Sequence, residues 1–273
     1  GMEHQTLSSM GSSSQNLIVH ELGHSWWGNL ITCKTFNDIW LNEGFARYCQ
    51  ALWFEHINGE EAYASFMNDY AYYGDGTIYV ENPSSNSQIF NSNLSYNKAS
   101  WVLHMLRHKV GDDTFFEILK SYASNDTLAY NAASTADFQK ISEDISGQNL
   151  ELFFQQWIYE EGYPKYEMSW WHDGNETYKV KIDQIQSSGL FSMPIDLNFS
   201  GSIGPLLIDT TIVVENNSLN HLYEISGLNF FVENVTLDPN NWILKEVSYT
   251  TNGIDHLMPK NIDVQLAYPN PFN

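Results

Sequence analysis

Two histidines four residues apart, with a glutamate beside the first, constrain this chain more than any other feature: His20-Glu21-Leu22-Gly23-His24. On an α-helix, residues i and i+4 lie on one face. Both imidazoles can then reach one metal ion, and Glu21 sits one step round, beside the coordination position left open. A third protein ligand is needed. Glu43 follows His24 after the 18 residues 25–42, inside Trp40-Leu41-Asn42-Glu43-Gly44-Phe45-Ala46. If that segment starts a second helix packed antiparallel to the first, the Glu43 carboxylate completes the site. Two histidines and a glutamate are the ligand set of a hydrolytic zinc centre, where Zn²⁺ lowers the pKa of water towards neutrality and a nearby carboxylate takes the proton. The competing reading is a chance pentapeptide on an amphipathic helix, and the downstream glutamate argues against it.

The pattern around this motif is helical. Apolar positions recur at three and four residues up to about residue 163, which predicts helices near 12–29, 42–57, 60–73, 96–110, 112–123, 135–145 and 150–160. Ser134 with Asp137 three residues on reads as a capping box. The stretch 74–95, rich in Gly, Asn and Ser, reads as a long surface loop of the kind that borders binding sites. Past Gly162-Tyr163-Pro164 the period changes to alternation, with strands expected at 166–171, 178–185, 193–199, 206–214, 230–235 and 242–247. The expected fold is α+β and multidomain: a mainly helical catalytic domain over 1–163, a β-sandwich of about seven strands over 164–250, and a linker over 251–273.

Charge narrows the partners. With 33 acidic and 12 basic side chains, the formal net charge is −21, which argues against nucleic acid, whose affinity comes mainly from Lys and Arg displacing counterions. The scarcity of basic residues also disfavours anionic lipid, and no apolar run is long enough for a membrane span. Cys33 and Cys49 are too few for a disulfide framework, and their spacing leaves open whether they pair. The opening residues carry no signal peptide and read like the middle of a domain.

Together, His20-Glu21-x-x-His24 and Glu43 resemble the gluzincin zinc signature. More narrowly, Gly1-Met2-Glu3-His4-Gln5 and Trp40-Leu41-Asn42-Glu43-Gly44-Phe45-Ala46 resemble the M1 family of zinc aminopeptidases. The first run is a shortened form of that family's exopeptidase motif, usually Gly-x-Met-Glu-Asn. The resemblance implies a thermolysin-like catalytic domain, a β-sandwich after it and a β-rich domain before it. It also implies that Glu3, on an edge strand lining the cleft, holds the free α-amine of a peptide substrate. Tyr96, in Tyr96-Asn97-Lys98-Ala99, is similar to the family's Tyr-x-Lys-Gly tyrosine, whose hydroxyl steadies the oxyanion; Ala99 replaces the commoner glycine. The implied site is therefore His20, His24 and Glu43 on Zn²⁺, with Glu21 and Tyr96 catalytic and Glu3 binding substrate.

Rival readings are a zinc endopeptidase, which has no need of Glu3, and a binding or adhesion fragment in which the metal centre is structural; an epoxide hydrolase side activity is known in one branch of the resembling family. His104 and His108 are also four apart but lack a third ligand, so they read as structural. His4 is an ordinary strand residue or touches the cleft, and Arg47, one turn beyond Glu43, orients that carboxylate or makes a surface pair. Trp26, Trp27, Trp101 and Trp157 fall at core-like positions. The closing run Ala267-Tyr268-Pro269-Asn270-Pro271-Phe272-Asn273 resembles the opening of a type IX secretion sorting domain, which implies a secreted or cell-surface parent protein.

Overall fold

The computed structural model describes residues 1–174 and 177–250; the expected sorting tail lies outside the described residues. The helical part comprises Gln15–Gly23 (α1), a short strand Ile31–Cys33 (β1), Trp40–Asn58 (α2), Glu60–Asp69 (α3) and Asn86–Ile89 (α4). A π-helical segment Ser92–Lys98 then runs into Ala99–Val110 (α5), followed by Asp112–Ala123 (α6), Asn131–Ala133 (β2), Thr135–Ser146 (α7), Glu151–Phe154 (α8) and a π-helical turn Gln155–Tyr159. No helix among these is long and apolar enough to cross a membrane.

Helix α2 is the spine. Trp40, Leu41, Phe45, Ala46, Tyr48 and Ala51 are all buried, and so are Asn42, Glu43 and Gln50, so the first half of this helix is enclosed on nearly every side. Its start is tied to α7 by buried polar contacts: Asp38 Oδ1 accepts from the Thr135 backbone N–H at 3.1 Å and from its hydroxyl at 2.7 Å, and Trp40 Nε1 donates to that hydroxyl at 2.8 Å. Helix α7 opens on the expected capping box, with Ser134 and Asp137 each bonding the other's backbone N–H. The Gly23 position lets α1 lie close on α2, since a Cβ there would stand 3.2 Å from Cys49 Cβ and 3.3 Å from Ala46 Cα.

Strands follow: Lys165–His172 (β3), Thr177–Gln184 (β4), Met193–Ile203 (β5), Leu206–Asn216 (β6), Asn220–Ser226 (β7), Phe231–Leu237 (β8) and Glu246–Tyr249 (β9). They form a sheet ordered β7-β4-β3-β9 and another ordered β6-β5-β8. Tyr178, Val180 and Ile182 of one sheet and Ile195, Leu197 and Phe199 of the other belong to one buried cluster, and the Val232 N–H donates to the Tyr178 hydroxyl across the sheets at 2.9 Å. The chain is thus α+β, helices first and paired sheets after.

Several local expectations are corrected. Helix α1 stops at Gly23 instead of reaching residue 29, because the chain folds back to bring the Trp27 carbonyl to the His24 ring. The stretch 74–95 holds α4 and the first turn of the π-helical segment, which Asn91 caps by accepting from the Asn93 and Leu94 N–H groups. Strand β7 escaped the apolar pattern because only Ile225 in it is buried. The final strand begins at Glu246, not 242, because the Asp238 carboxylate takes the N–H groups of Trp242 and Ile243 at 2.9 and 2.8 Å and bends that stretch into a loop. Trp26 is exposed at 48%, unlike Trp27, Trp101 and Trp157. Cys33 and Cys49 are free thiols, and burial pushes both up to about 11, so they stay protonated.

Candidate metal centre and active site

His20 and His24 project from α1 one turn apart, and Glu43 projects from the first turn of α2. Contacts along the two helices run in opposite directions: Gln50 Nε2 donates to the Asn16 carbonyl at 2.6 Å, whereas His24 meets Glu43. The pair is antiparallel, as the spacing requires. Three ligand atoms meet in a nearly equilateral triangle: His20 Nε2 to His24 Nε2 is 3.2 Å, and Glu43 Oε2 lies 3.3 Å from each.

This triangle is a test of fit. Tetrahedral zinc with bonds of about 2.0–2.1 Å needs ligand atoms about 3.3–3.4 Å apart. The tautomer agrees as well. The Trp27 carbonyl, which can only accept, lies 2.9 Å from His24 Nδ1, so that nitrogen carries the hydrogen and Nε2 offers its lone pair to the triangle. Gly28, at φ 139°, makes the turn possible; a Cβ there would stand 3.2 Å from His24 Nδ1. Burial works against the Glu43 charge, but when the two histidines are protonated at Nε2 their hydrogen bonds outweigh it and hold the carboxyl at about 2; a cation at the same point takes the place of those protons. For His24, burial opposes protonation and the Glu43 carboxylate overcomes it, moving the pKa up. A buried anion and two imidazoles sharing one point have the chemistry of a dication site.

The other expected residues gather round it. Glu21 is 3% exposed, and its Oε2 is buried without a hydrogen-bond partner among the described residues. Glu3 brings a carboxylate oxygen within 4.8 Å of Glu21 and His24 ligand atoms. It does not sit on an edge strand: only an isolated bridge pairs Met2 with Ser9, and Asn29 Nδ2 holds the Glu3 carbonyl at 3.0 Å. Tyr96 stacks on His20, with centroids 5.8 Å apart and planes 21° from parallel. Burial first, then the Glu43 carboxylate, push its phenol up, so it remains a hydrogen-bond donor. All of these line one cleft of about 600 Å³, together with Leu17, Arg47, Gln50 and Phe90. A larger groove of about 950 Å³, lined by Thr77, Asn82 and Glu161 among others, holds none of the three ligand residues.

Two contributors escaped sequence reasoning, the Trp27 carbonyl and Gly28, and Lys98 entered it only as part of the motif around Tyr96. The fully buried Lys98 donates to the Gly76 carbonyl at 3.2 Å and anchors the π-helical segment that carries Tyr96. His4 is exposed and outside the cleft. His104 and His108 both stack on Trp242 and share no third ligand among the described residues, His108 Nε2 alone lying 3.6 Å from Asp196 Oδ1, and Arg47 makes no ion pair with Glu43.

The pattern of the Peptidase family M1 domain matches residues 2–157, more than half of the sequence. The chain belongs to peptidase family M1. Among relatives of this M1 chain, Aminopeptidase M1-D of Oryza sativa subsp. japonica is 30% identical over 206 residues, which cover 70% of this chain and 23% of that protein. Aminopeptidase N of Lactococcus lactis subsp. lactis is 32% identical over 160 residues, covering 54% of this chain and 19% of the relative. This M1 chain therefore spans about a fifth to a quarter of the length of the curated relatives it matches. Its fold matches a crystal structure of Legionella pneumophila aminopeptidase A in complex with aspartic acid, with a TM-score of 0.75 at 16% identity, covering 87% of this chain and 27% of that one.

Proposed function

We propose that the chain is the catalytic part of a zinc-dependent aminopeptidase that removes N-terminal residues from peptides. The single observation carrying this reading is the 3.2–3.3 Å triangle of His20 Nε2, His24 Nε2 and Glu43 Oε2, with a buried carboxylate, Glu21, beside it. His20, His24 and Glu43 hold Zn²⁺, which when bound polarises the peptide carbonyl and makes water acidic near neutral pH. Glu21 takes a proton from the attacking water and returns it to the departing amine. The Tyr96 hydroxyl, kept protonated, donates to the carbonyl oxygen as it gains charge. Glu3 holds the substrate ammonium on the His24 side, so the first peptide bond comes to the centre and internal bonds do not. Family membership and relatives named aminopeptidases support the reading.

The test is turnover of aminoacyl anilides before and after chelation, beside a peptide whose amine is acetylated. Loss on chelation, recovery with zinc and refusal of the blocked peptide are expected. Fast cleavage of the acetylated peptide would make this an endopeptidase, and bound zinc without turnover would favour the binding-module reading. We read the sorting-like run 267–273 as support for a secreted or cell-surface parent protein, which cell fractionation checks.

A further inference from the structure

The chain has two arginines, and their surroundings differ. Arg107 is an ordinary buried arginine: its Nη1 and Nη2 pair with the Glu55 carboxylate at 2.8 and 3.0 Å, and its Nε pairs with Asp112. Arg47 has no carboxylate partner among the described residues. Its Nη1 donates to Gln50 Oε1 at 3.1 Å, its Nε is buried without a hydrogen-bond partner among the described residues, and its guanidinium lies 4.3 Å from the Tyr70 ring centroid and 5.9 Å from that of Tyr96. Five N–H donors meet only two neutral side chains, Gln50 and Tyr70, among the described residues. In a chain with 33 acidic side chains, an arginine half withdrawn from water and left without one is a costly arrangement. Two aromatic faces and Gln50 hold the fork in place, and Gln50 is itself fixed by the Asn16 carbonyl at 2.6 Å.

Arg47 lines the same cleft as the metal-ligand triangle. Glu3 gathers with Glu21 and His24, whereas Arg47 packs on Tyr96, which stacks on His20. The cleft thus carries an anion beside one imidazole and, beyond the other, a guanidinium that no carboxylate pairs among the described residues. A planar guanidinium with free parallel donors matches a carboxylate.

We propose that Arg47 is a specificity-determining residue that binds a substrate carboxylate on the amino acid following the scissile bond. The inference rests on the aminopeptidase reading, which places the substrate amine at Glu3. The carboxylate is then an acidic side chain at that position or the free C-terminus of a dipeptide.

Four substrates separate the sources: alanyl-alanine amide, alanyl-alanine, alanyl-glutamate amide and glutamyl-alanine amide. For Arg47→Gln, the ratio of kcat/KM for a carboxylate substrate to that for alanyl-alanine amide should fall at least about tenfold, chiefly through KM. A fall confined to alanyl-alanine identifies the terminal carboxylate, and one confined to alanyl-glutamate amide identifies the side chain. Arg47→Lys, which keeps the charge without the fork, should retain part of the preference and guards against misfolding of the first variant; melting curves check both. An equal loss on all four substrates, no loss, or a loss confined to glutamyl-alanine amide overturns the proposal. If the wild-type full chain cleaves none of them, the aminopeptidase reading fails instead. Calorimetric binding of the same dipeptides to chelator-treated protein then decides Arg47 alone: tighter binding of alanyl-alanine or alanyl-glutamate amide than of alanyl-alanine amide, abolished in Arg47→Gln, supports it, and equal binding refutes it.

Discussion

At the scale of single residues, the proposed function gives holding a cation and moving a proton to different carboxylates. Glu43 is held at about 2 by two imidazoles, so it is a permanent anion suited to a ligand. Glu21 is buried with an oxygen that has no hydrogen-bond partner among the described residues, as suits a group that exchanges a proton. Glu21→Gln keeps the shape and removes the base. We expect kcat to fall by about 10²–10⁴ or more while zinc content, measured by atomic absorption, stays at the wild-type level. Tyr96→Phe removes a donor without touching a ligand, so kcat should fall by about 10²–10³ with KM changing little. A variant that kept wild-type kcat would remove Tyr96 from the mechanism. The convergence of His20, His24 and Glu43 is legible from spacing, because helical period and one crossing leave few alternatives. The tautomer of His24 is not, because it depends on a carbonyl brought round by a turn at Gly28.

Between elements, close approach matters more than propensity. Gly44 follows the candidate ligand Glu43, and a Cβ on it would stand 2.5 Å from Ala99 Cβ, where α2 meets α5 just after the segment bearing Tyr96. Ala99, where the resembling family commonly has glycine, already uses the available space. Gly44→Ala should therefore overpack this contact, lowering stability by about 1–3 kcal/mol and weakening zinc retention by forcing Glu43 away from the histidines. Chemical denaturation and a competitive chelator titration measure the two effects, and unchanged values in both would show that α2 and α5 yield at no cost. Alternation and helical period reveal most helices and strands. They do not reveal the π-helical entry to α5, which rests on Asn91 capping and on a buried lysine finding the Gly76 carbonyl.

For the molecule as a whole, the helical part and the sheets are joined through a histidine. His104 Nε2 donates to the Asn241 carbonyl at 3.1 Å, its Nδ1 accepts from the Tyr63 hydroxyl at 2.6 Å, and its ring stacks on Trp242. Both ring nitrogens are used by the neutral form. Burial accordingly moves the pKa down, from 6.5 to about 4. Between those values the unfolded chain binds a proton that the folded chain refuses, so stability is lost as pH falls from about 6.5 towards about 4, by up to about 1.4 kcal/mol per pH unit. Urea unfolding at about pH 6.5 and about pH 5, where most carboxylates stay ionised, should show a drop of about 2 kcal/mol from this group. His104→Leu should be less stable at neutral pH and lose that part of the slope. An identical slope in the variant would assign the acid sensitivity elsewhere.

Spacing and periodicity alone determined that His20, His24 and Glu43 meet and that helices precede sheets, since each follows from local geometry. Tertiary structure alone decided what surrounds those residues: which carbonyl orients His24, why Glu3 sits beside an isolated bridge and not a strand, and why Arg47 meets aromatic rings in place of an acid. Those contacts join residues distant in the chain. No period encodes them, because a contact between distant segments exists only once both have packed.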